Sequence, residues 1–135
     1  MNGCLVDTSI LIDVITDDPI WADWSQGQLD AAAELGPIMI NPIVYAELSV
    51  AYERIEVLDA MLEDAGIELR AIPRPALFVA ARVFVSYRRR GGMRTGVLPD
   101  FFVGAHAAVE GLTLLTRDTR RRSWFPTLRV VSPNL

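Results

Sequence analysis

Four carboxylates stand where a parallel sheet would do chemistry: Asp7, Glu47, Asp100 and Asp118. Asp7 closes the short apolar run Gly3-Cys4-Leu5-Val6. Asp118 follows the run 112–116 by two residues, and Asp100 follows Pro99 in the first turn of the helix leading to that run. In open parallel sheets, ligands bind outside the carboxyl ends of the strands. A first-turn Asp can also serve only the helix dipole. The Gly, Ala, Ala and Gly at 104, 107, 108 and 111 favour close packing on the sheet, with Asp100 pointing in beside it. Glu47 shares a helical stripe with Ile43, Val44, Leu48, Ala51, Ile55, Leu58 and Leu62, so it is expected to be at least partly buried. A buried carboxylate needs a partner, either an arginine or a cation, and the cation is favoured. Carboxylates gathered at one sheet edge repel one another. A hard divalent cation such as Mg²⁺ or Mn²⁺, which prefers oxygen ligands, resolves this. Such an ion lowers the pKa of a bound water and clamps phosphate oxygens. The chemistry this suggests is metal-dependent phosphodiester hydrolysis.

The elements that must position these acids read as strands alternating with helices. Apolar runs are expected as strands at 3–6, 38–40, 67–72, 112–116 and 128–131. Thr8-Ser9 supply capping chemistry for a short helix before Thr16-Asp17-Asp18-Pro19. A second helix is expected over 19–35. Asn41-Pro42 starts a third, the Asn as cap and the Pro in the first turn, running to about Asp64. Further helices are expected over 76–90 and from Pro99 to about Gly111, with a flexible Gly-rich loop over 91–96 between them. Buried strands alternating with helices mean α/β architecture: a central parallel β-sheet flanked by helices on both faces. One domain is expected to span 1–135.

The chain has 135 residues and a formal net charge of -4. That total hides a partition. Residues 1–70 hold 14 acids and two basic residues, a balance of -12; residues 71–135 hold 11 basic residues and three acids, a balance of +8. Every basic residue is arginine. Arginine favours bidentate contacts with phosphate or carboxylate. Two clusters adjoin the acids: Arg88, Arg89 and Arg90 with Arg94, and Arg117 with Arg120, Arg121 and Arg122. They are either solubilising charge or a surface for a phosphate backbone, which they would hold without reading its sequence. One cysteine excludes an internal disulfide and a cysteine-type zinc cluster. No apolar run reaches the ~18 residues of a membrane span. The N-terminus lacks a secretory signal, so a cytoplasmic protein is expected.

The pieces that carry the acids resemble the PIN-domain family, and in particular the VapC-type ribonuclease toxins of toxin–antitoxin pairs. They are Leu5-Val6-Asp7-Thr8-Ser9-Ile10-Leu11-Ile12, then Tyr45-Ala46-Glu47-Leu48, then Pro99-Asp100-Phe101-Phe102-Val103-Gly104-Ala105-His106-Ala107. Leu114-Leu115-Thr116-Arg117-Asp118 follows, with Trp124-Phe125-Pro126 after it. Order, spacing and length agree over the whole chain. The Phe-Phe after Asp100 and the strongly basic 117–122 depart from the familiar pattern, but neither removes an acid.

The resemblance implies a PIN-like fold and a Mg²⁺ or Mn²⁺ site at Asp7, Glu47, Asp100 and Asp118. It implies endonucleolytic RNA cleavage by water, leaving a 5′-phosphate. Thr8, Ser9 and Thr116 match small polar positions whose hydroxyls would orient water or a carboxylate, or act simply as caps. Arg88, Arg89, Arg90, Arg94, Arg117 and Arg120 would contact RNA. A cognate antitoxin is implied as partner, in a groove that the helix over 42–64 helps to form. The apolar helix segment 77–85 would either be buried or contribute to a homodimer, with higher toxin–antitoxin assembly possible.

His106 lies six residues past Asp100, about 240° around a helix, and is expected to be structural. Cys4 is expected as a buried thiol. Trp21, Trp24, Phe78, Phe84, Tyr87 and Trp124 are expected in the core or an interface, with Trp124 the best placed for a base. The competing function is a PIN-like RNA- or partner-binding module without turnover. A haloacid-dehalogenase-like phosphatase would want a second Asp where Ser9 stands, and a receiver-like domain would want a lysine.

Overall fold

A computed structural model of the chain describes residues 3–94 and 96–133; Thr95 and the side chains of Arg121 and Arg122, two members of the second basic cluster, lie outside the described set. The elements in chain order are β1 Cys4–Val6, α1 Thr8–Ile15, α2 Ala22–Leu35, β2 Ile38–Ile40, α3 Pro42–Ser49 and α4 Ile55–Asp64. They continue with β3 Ile67–Leu69, α5 Arg74–Arg89, α6 Leu98–Glu110, β4 Thr113–Leu115, α7 Arg121–Trp124 and β5 Arg129–Val131. The five strands form one sheet in the order β3-β2-β1-β4-β5. Every pairing is parallel. Successive residues of a strand point to opposite faces. Leu5 and Val6 both have 0% exposure, as do Met39 and Ile40, so the central strands are covered on both sides.

The strand order sets the site. From β1 the chain steps one way to β2 and β3, then returns across β1 to β4 and β5. The reversal lies between β1 and β4, and their carboxyl ends border the crevice where such sheets take ligands. Leu5 pairs with Leu114 and Val6 with Leu115. Asp7 and Thr116, the next residues on each strand, are therefore brought side by side.

One expected helix is two. The stretch 42–64 breaks after Ser49, whose hydroxyl donates to the Tyr45 carbonyl at 2.8 Å. Such back-bonding competes with the helical ladder. The next amides donate three residues back, Ala51 N to Leu48 O and Tyr52 N to Ser49 O. Tyr45 Oη then donates to Asp59 Oδ1 at 2.6 Å, tying α3 to α4. The cap of α1 also differs from expectation: Asp7 accepts from Thr8 N, ahead of both hydroxyls expected to cap it.

Helix α6 sits close on its surroundings because Gly104 has no side chain. A Cβ there would lie 2.5 Å from the Phe125 ring. The helix ends on Gly111 in the left-handed conformation, φ 69°, which glycine adopts at little cost. Phe101, Phe125, Tyr87 and Trp124 form an aromatic cluster under the start of α6. Trp124 is thus packed against the core, with Arg90 over its ring at 5.7 Å. Helix α5 is less buried than its composition suggests. Ala76, Ala80 and Tyr87 face inward, whereas Leu77 and Phe78 are exposed. Among the described residues, no helix is long and apolar enough to cross a membrane.

His106 is structural. Its ring is fully buried, with Nδ1 3.2 Å from Asn41 Nδ2 and Nε2 2.7 Å from Glu110 Oε1. Asn41 Oδ1 accepts from Ile43 N and Val44 N, so its amide nitrogen is the group that donates to His106. Nε2 then carries the proton and donates to Glu110. Burial pushes His106 below the ordinary histidine value, against the pull of Glu110. The unfolded chain therefore takes up this proton more readily than the folded one. The contribution to stability is fully present above about pH 6.5, the unfolded value, and is lost as pH falls toward the lower folded value. Thermal melts should show a loss between pH 7 and 5 that is visibly smaller in His106→Gln. Equal losses in both proteins would assign that acid sensitivity to other groups.

Candidate active site

All four sequence-distant acids line one open cavity of about 440 Å³, together with Thr8, Ser9, Arg117, Thr119 and Arg120. Each acid arrives from a different element. Asp7 ends β1, Glu47 lies on α3, Asp100 lies in the first turn of α6, and Asp118 lies in the turn after β4. A second, narrower slot adjoins this cavity. It shares Asp100, Asp118 and Arg120 with it and is walled by Tyr87, Phe101, Trp124 and Phe125.

Asp7 is held from both sides. It is buried, Oδ1 accepts from Thr8 N at 2.9 Å, and Oδ2 accepts from Thr116 Oγ1 at 2.7 Å. Thr116 Oγ1 in turn accepts from Asp118 N at 3.0 Å, so one hydroxyl ties the Asp7 carboxylate to the backbone of Asp118. Thr8 Oγ1 donates to Glu47 Oε1 at 2.5 Å. Ser9 Oγ accepts from Arg117 N at 3.3 Å. The small polar residues therefore position carboxylates and backbone rather than standing apart from them.

Glu47 is exposed, contrary to the expected partial burial. The buried residues of α3 are Val44 and Leu48, which leaves 47 on the flank of the stripe, facing Thr8. Asp118 is bound through both oxygens to Arg120: Nε to Oδ1 and Nη2 to Oδ2, each at 2.9 Å. Asp118, by hydrogen bond and charge, and then Asp100, by charge, push the Arg120 guanidinium further above its ordinary value. Arg88, Arg89, Arg90 and Arg94 are exposed.

One group escaped the sequence reading. Asp13, on α1, has a side chain only 2% exposed. It accepts from Ser25 Oγ at 2.7 Å and from Arg117 through Nε at 2.8 Å and Nη2 at 3.0 Å. Arg117 also lies 5.2 Å from the Trp21 ring centroid. Its guanidinium is thus engaged by a buried acid, beside the cavity it lines. The signal was present: Asp13 sits inside Ile10-Leu11-Ile12-Asp13-Val14-Ile15, three residues past Ile10. A charge on an apolar helical stripe needs a partner.

Among the described residues, no three Asp, Glu, His or Cys side chains already form a metal cage. The donors on the cavity nevertheless suit a hard divalent cation in kind, being carboxylate and hydroxyl oxygens without thiol or imidazole. Asp7, Glu47, Asp100 and Asp118 are the lining carboxylates from which such an ion would draw its ligands.

A family model described as PIN domain matches residues 4–124. Comparison with curated proteins returns no significant match. Among solved structures, the chain is similar to VapBC2 from Rickettsia felis bound to a promoter DNA fragment. That match has a TM-score of 0.74 at 22% identity and covers 96% of this chain and 97% of that chain. It is similar to VapBC-1 from nontypeable Haemophilus influenzae, with a TM-score of 0.71 at 14% identity and 96% of each chain covered. It is also similar to a toxin–antitoxin complex from Klebsiella pneumoniae, with a TM-score of 0.66 at 25% identity and 98% of each chain covered.

Proposed function

The chain belongs to the PIN-domain family, and from that premise we propose that it is a metal-dependent endoribonuclease acting as the toxin of a toxin–antitoxin pair. The observation that carries this reading is the meeting of Asp7, Glu47, Asp100 and Asp118 on one open cavity at the sheet's switch point. A Mg²⁺ or Mn²⁺ ion held by these four would offset their repulsion, acidify a bound water and polarise a phosphate oxygen. The chain's own residues do the rest. Thr116 holds the Asp7 carboxylate and the Asp118 backbone, and Thr8 holds the Glu47 carboxylate, through hydrogen bonds. The exposed Arg88, Arg89, Arg90 and Arg94 offer charge for the RNA backbone.

The partner reading rests on two surfaces. An apolar groove of about 470 Å³ runs between α1, α2 and α4, walled by Leu11, Val14, Leu29, Ala33, Tyr52 and Met61. It suits an amphipathic antitoxin segment laid into it. The exposed Leu77 and Phe78 of α5 supply apolar area for a homodimer.

Incubating the purified protein with end-labelled RNA tests the activity. Fragments with 5′-phosphates are expected with Mg²⁺ or Mn²⁺ and none with excess chelator. Cleavage that persists in chelator overturns the metal mechanism. RNA that is bound but never cut in Mg²⁺ or Mn²⁺ favours the non-catalytic alternative.

A further inference from the structure

Arg120 is joined directly to an acid of the cavity. Its fork covers both oxygens of Asp118, and its backbone N–H donates to Oδ1 at 2.9 Å. The pair is nonetheless wet, with side chains 59% and 21% exposed. Solvent at the arginine end leaves the pair open to exchange, with its two-point geometry placing it at the upper end of the range of exposed pairs. Arg120 also borders both spaces, the acid cavity and the adjoining aromatic slot. A guanidinium fork matches phosphate as well as carboxylate.

We propose that Arg120 is a phosphate-binding residue parked on Asp118, and that it releases this carboxylate to the divalent cation when RNA arrives. The inference rests on the ribonuclease reading and adds a coupling to it. With no substrate present, the guanidinium offsets the crowding of Asp118 and Asp100 and competes with the cation for Asp118. A substrate phosphate gives the fork another acceptor. RNA therefore tightens cation binding, and the cation tightens RNA binding by the same factor, as linkage requires.

The test is Mn²⁺ binding to the full chain, read from the electron paramagnetic resonance signal of the free ion. Wild type, Arg120→Gln and Arg120→Lys are compared, each with and without a short phosphorothioate oligoribonucleotide. Circular dichroism checks that the variants fold; the side chain is largely exposed, and the backbone N–H bond to Asp118 is kept. Without RNA, Arg120→Gln should bind Mn²⁺ about two- to fivefold more tightly than wild type, the scale of an exposed pair. Arg120→Lys should fall between. The oligoribonucleotide should tighten Mn²⁺ binding in wild type and much less in Arg120→Gln. A merely structural Arg120 would leave affinity unchanged or weakened on substitution. Equal affinities for wild type and Arg120→Gln, or an equal RNA effect in both, overturn the coupling while the ribonuclease reading stands. If no form binds Mn²⁺, both fall together.

Discussion

Asp7→Asn should lower RNA cleavage by roughly a hundred- to a thousandfold, the scale of losing one electrostatic group at a reacting centre, while the fold keeps nearly its full stability. The substitution separates two jobs done by one side chain. Oδ1 caps α1 by accepting from Thr8 N, and asparagine caps as well as aspartate. Oδ2 accepts from Thr116 Oγ1, and the asparagine amide would instead donate to that hydroxyl. Thr116 Oγ1 has two lone pairs, one of them used by Asp118 N, so the reversed bond can form. The stability cost is expected to stay within about 1 kcal/mol. What disappears is the negative charge at the end of β1, beside the end of β4. The measurement is cleavage rate in Mn²⁺ set against the urea midpoint. Activity within tenfold of wild type would remove Asp7 from the reacting centre.

The same local logic explains which parts of the molecule were legible in the sequence. Asp7 and Asp118 were readable because each follows a short apolar run, and the end of a buried parallel strand is where such sheets work. No spacing along the chain, however, says that β4 lies beside β1; that adjacency comes from the return crossover through α5 and α6. Glu47 was singled out for partial burial on a continuous stripe over 42–64. The stripe does not exist as drawn, because the first helix ends at Ser49 and α4 starts afresh at Ile55. The acid still reaches the cavity, held from the flank by Thr8. The charge partition was informative but incomplete. It set an acidic half against a basic half, whereas folding pairs Arg117 of the basic half with Asp13 of the acidic one. The unpaired-charge argument applied to Glu47 fits Asp13 better. Asp13 is the residue that is buried, and its partner is an arginine rather than a cation.

That pair carries the largest expected effect on stability. Arg117→Ala would leave the Asp13 carboxylate buried, with the Ser25 hydroxyl still donating to it but no cation beside it. Breaking one side of a buried pair typically costs about 3–5 kcal/mol. The Arg117 side chain is 32% exposed, so solvent moderates the loss and a value near the lower end, about 3 kcal/mol, is expected. Asp13→Asn should cost less. The neutral amide can still accept from Ser25, and Arg117 can turn its head toward water while keeping its stack on Trp21. Adding Asp13→Asn to Arg117→Ala should then recover most of the stability, because no buried charge remains to be solvated. Urea unfolding of the four proteins measures this as a double-mutant cycle. Strict additivity would mean that the two side chains do not depend on each other. The cycle also bears on the site. Arg117 N donates to Ser9 Oγ and Arg117 immediately precedes Asp118. If the clamp on α1 places Asp118, Arg117→Ala should lose cleavage even at temperatures where it is fully folded. The double variant should regain stability without regaining that activity, since neutralising Asp13 cures the buried charge but restores no tether.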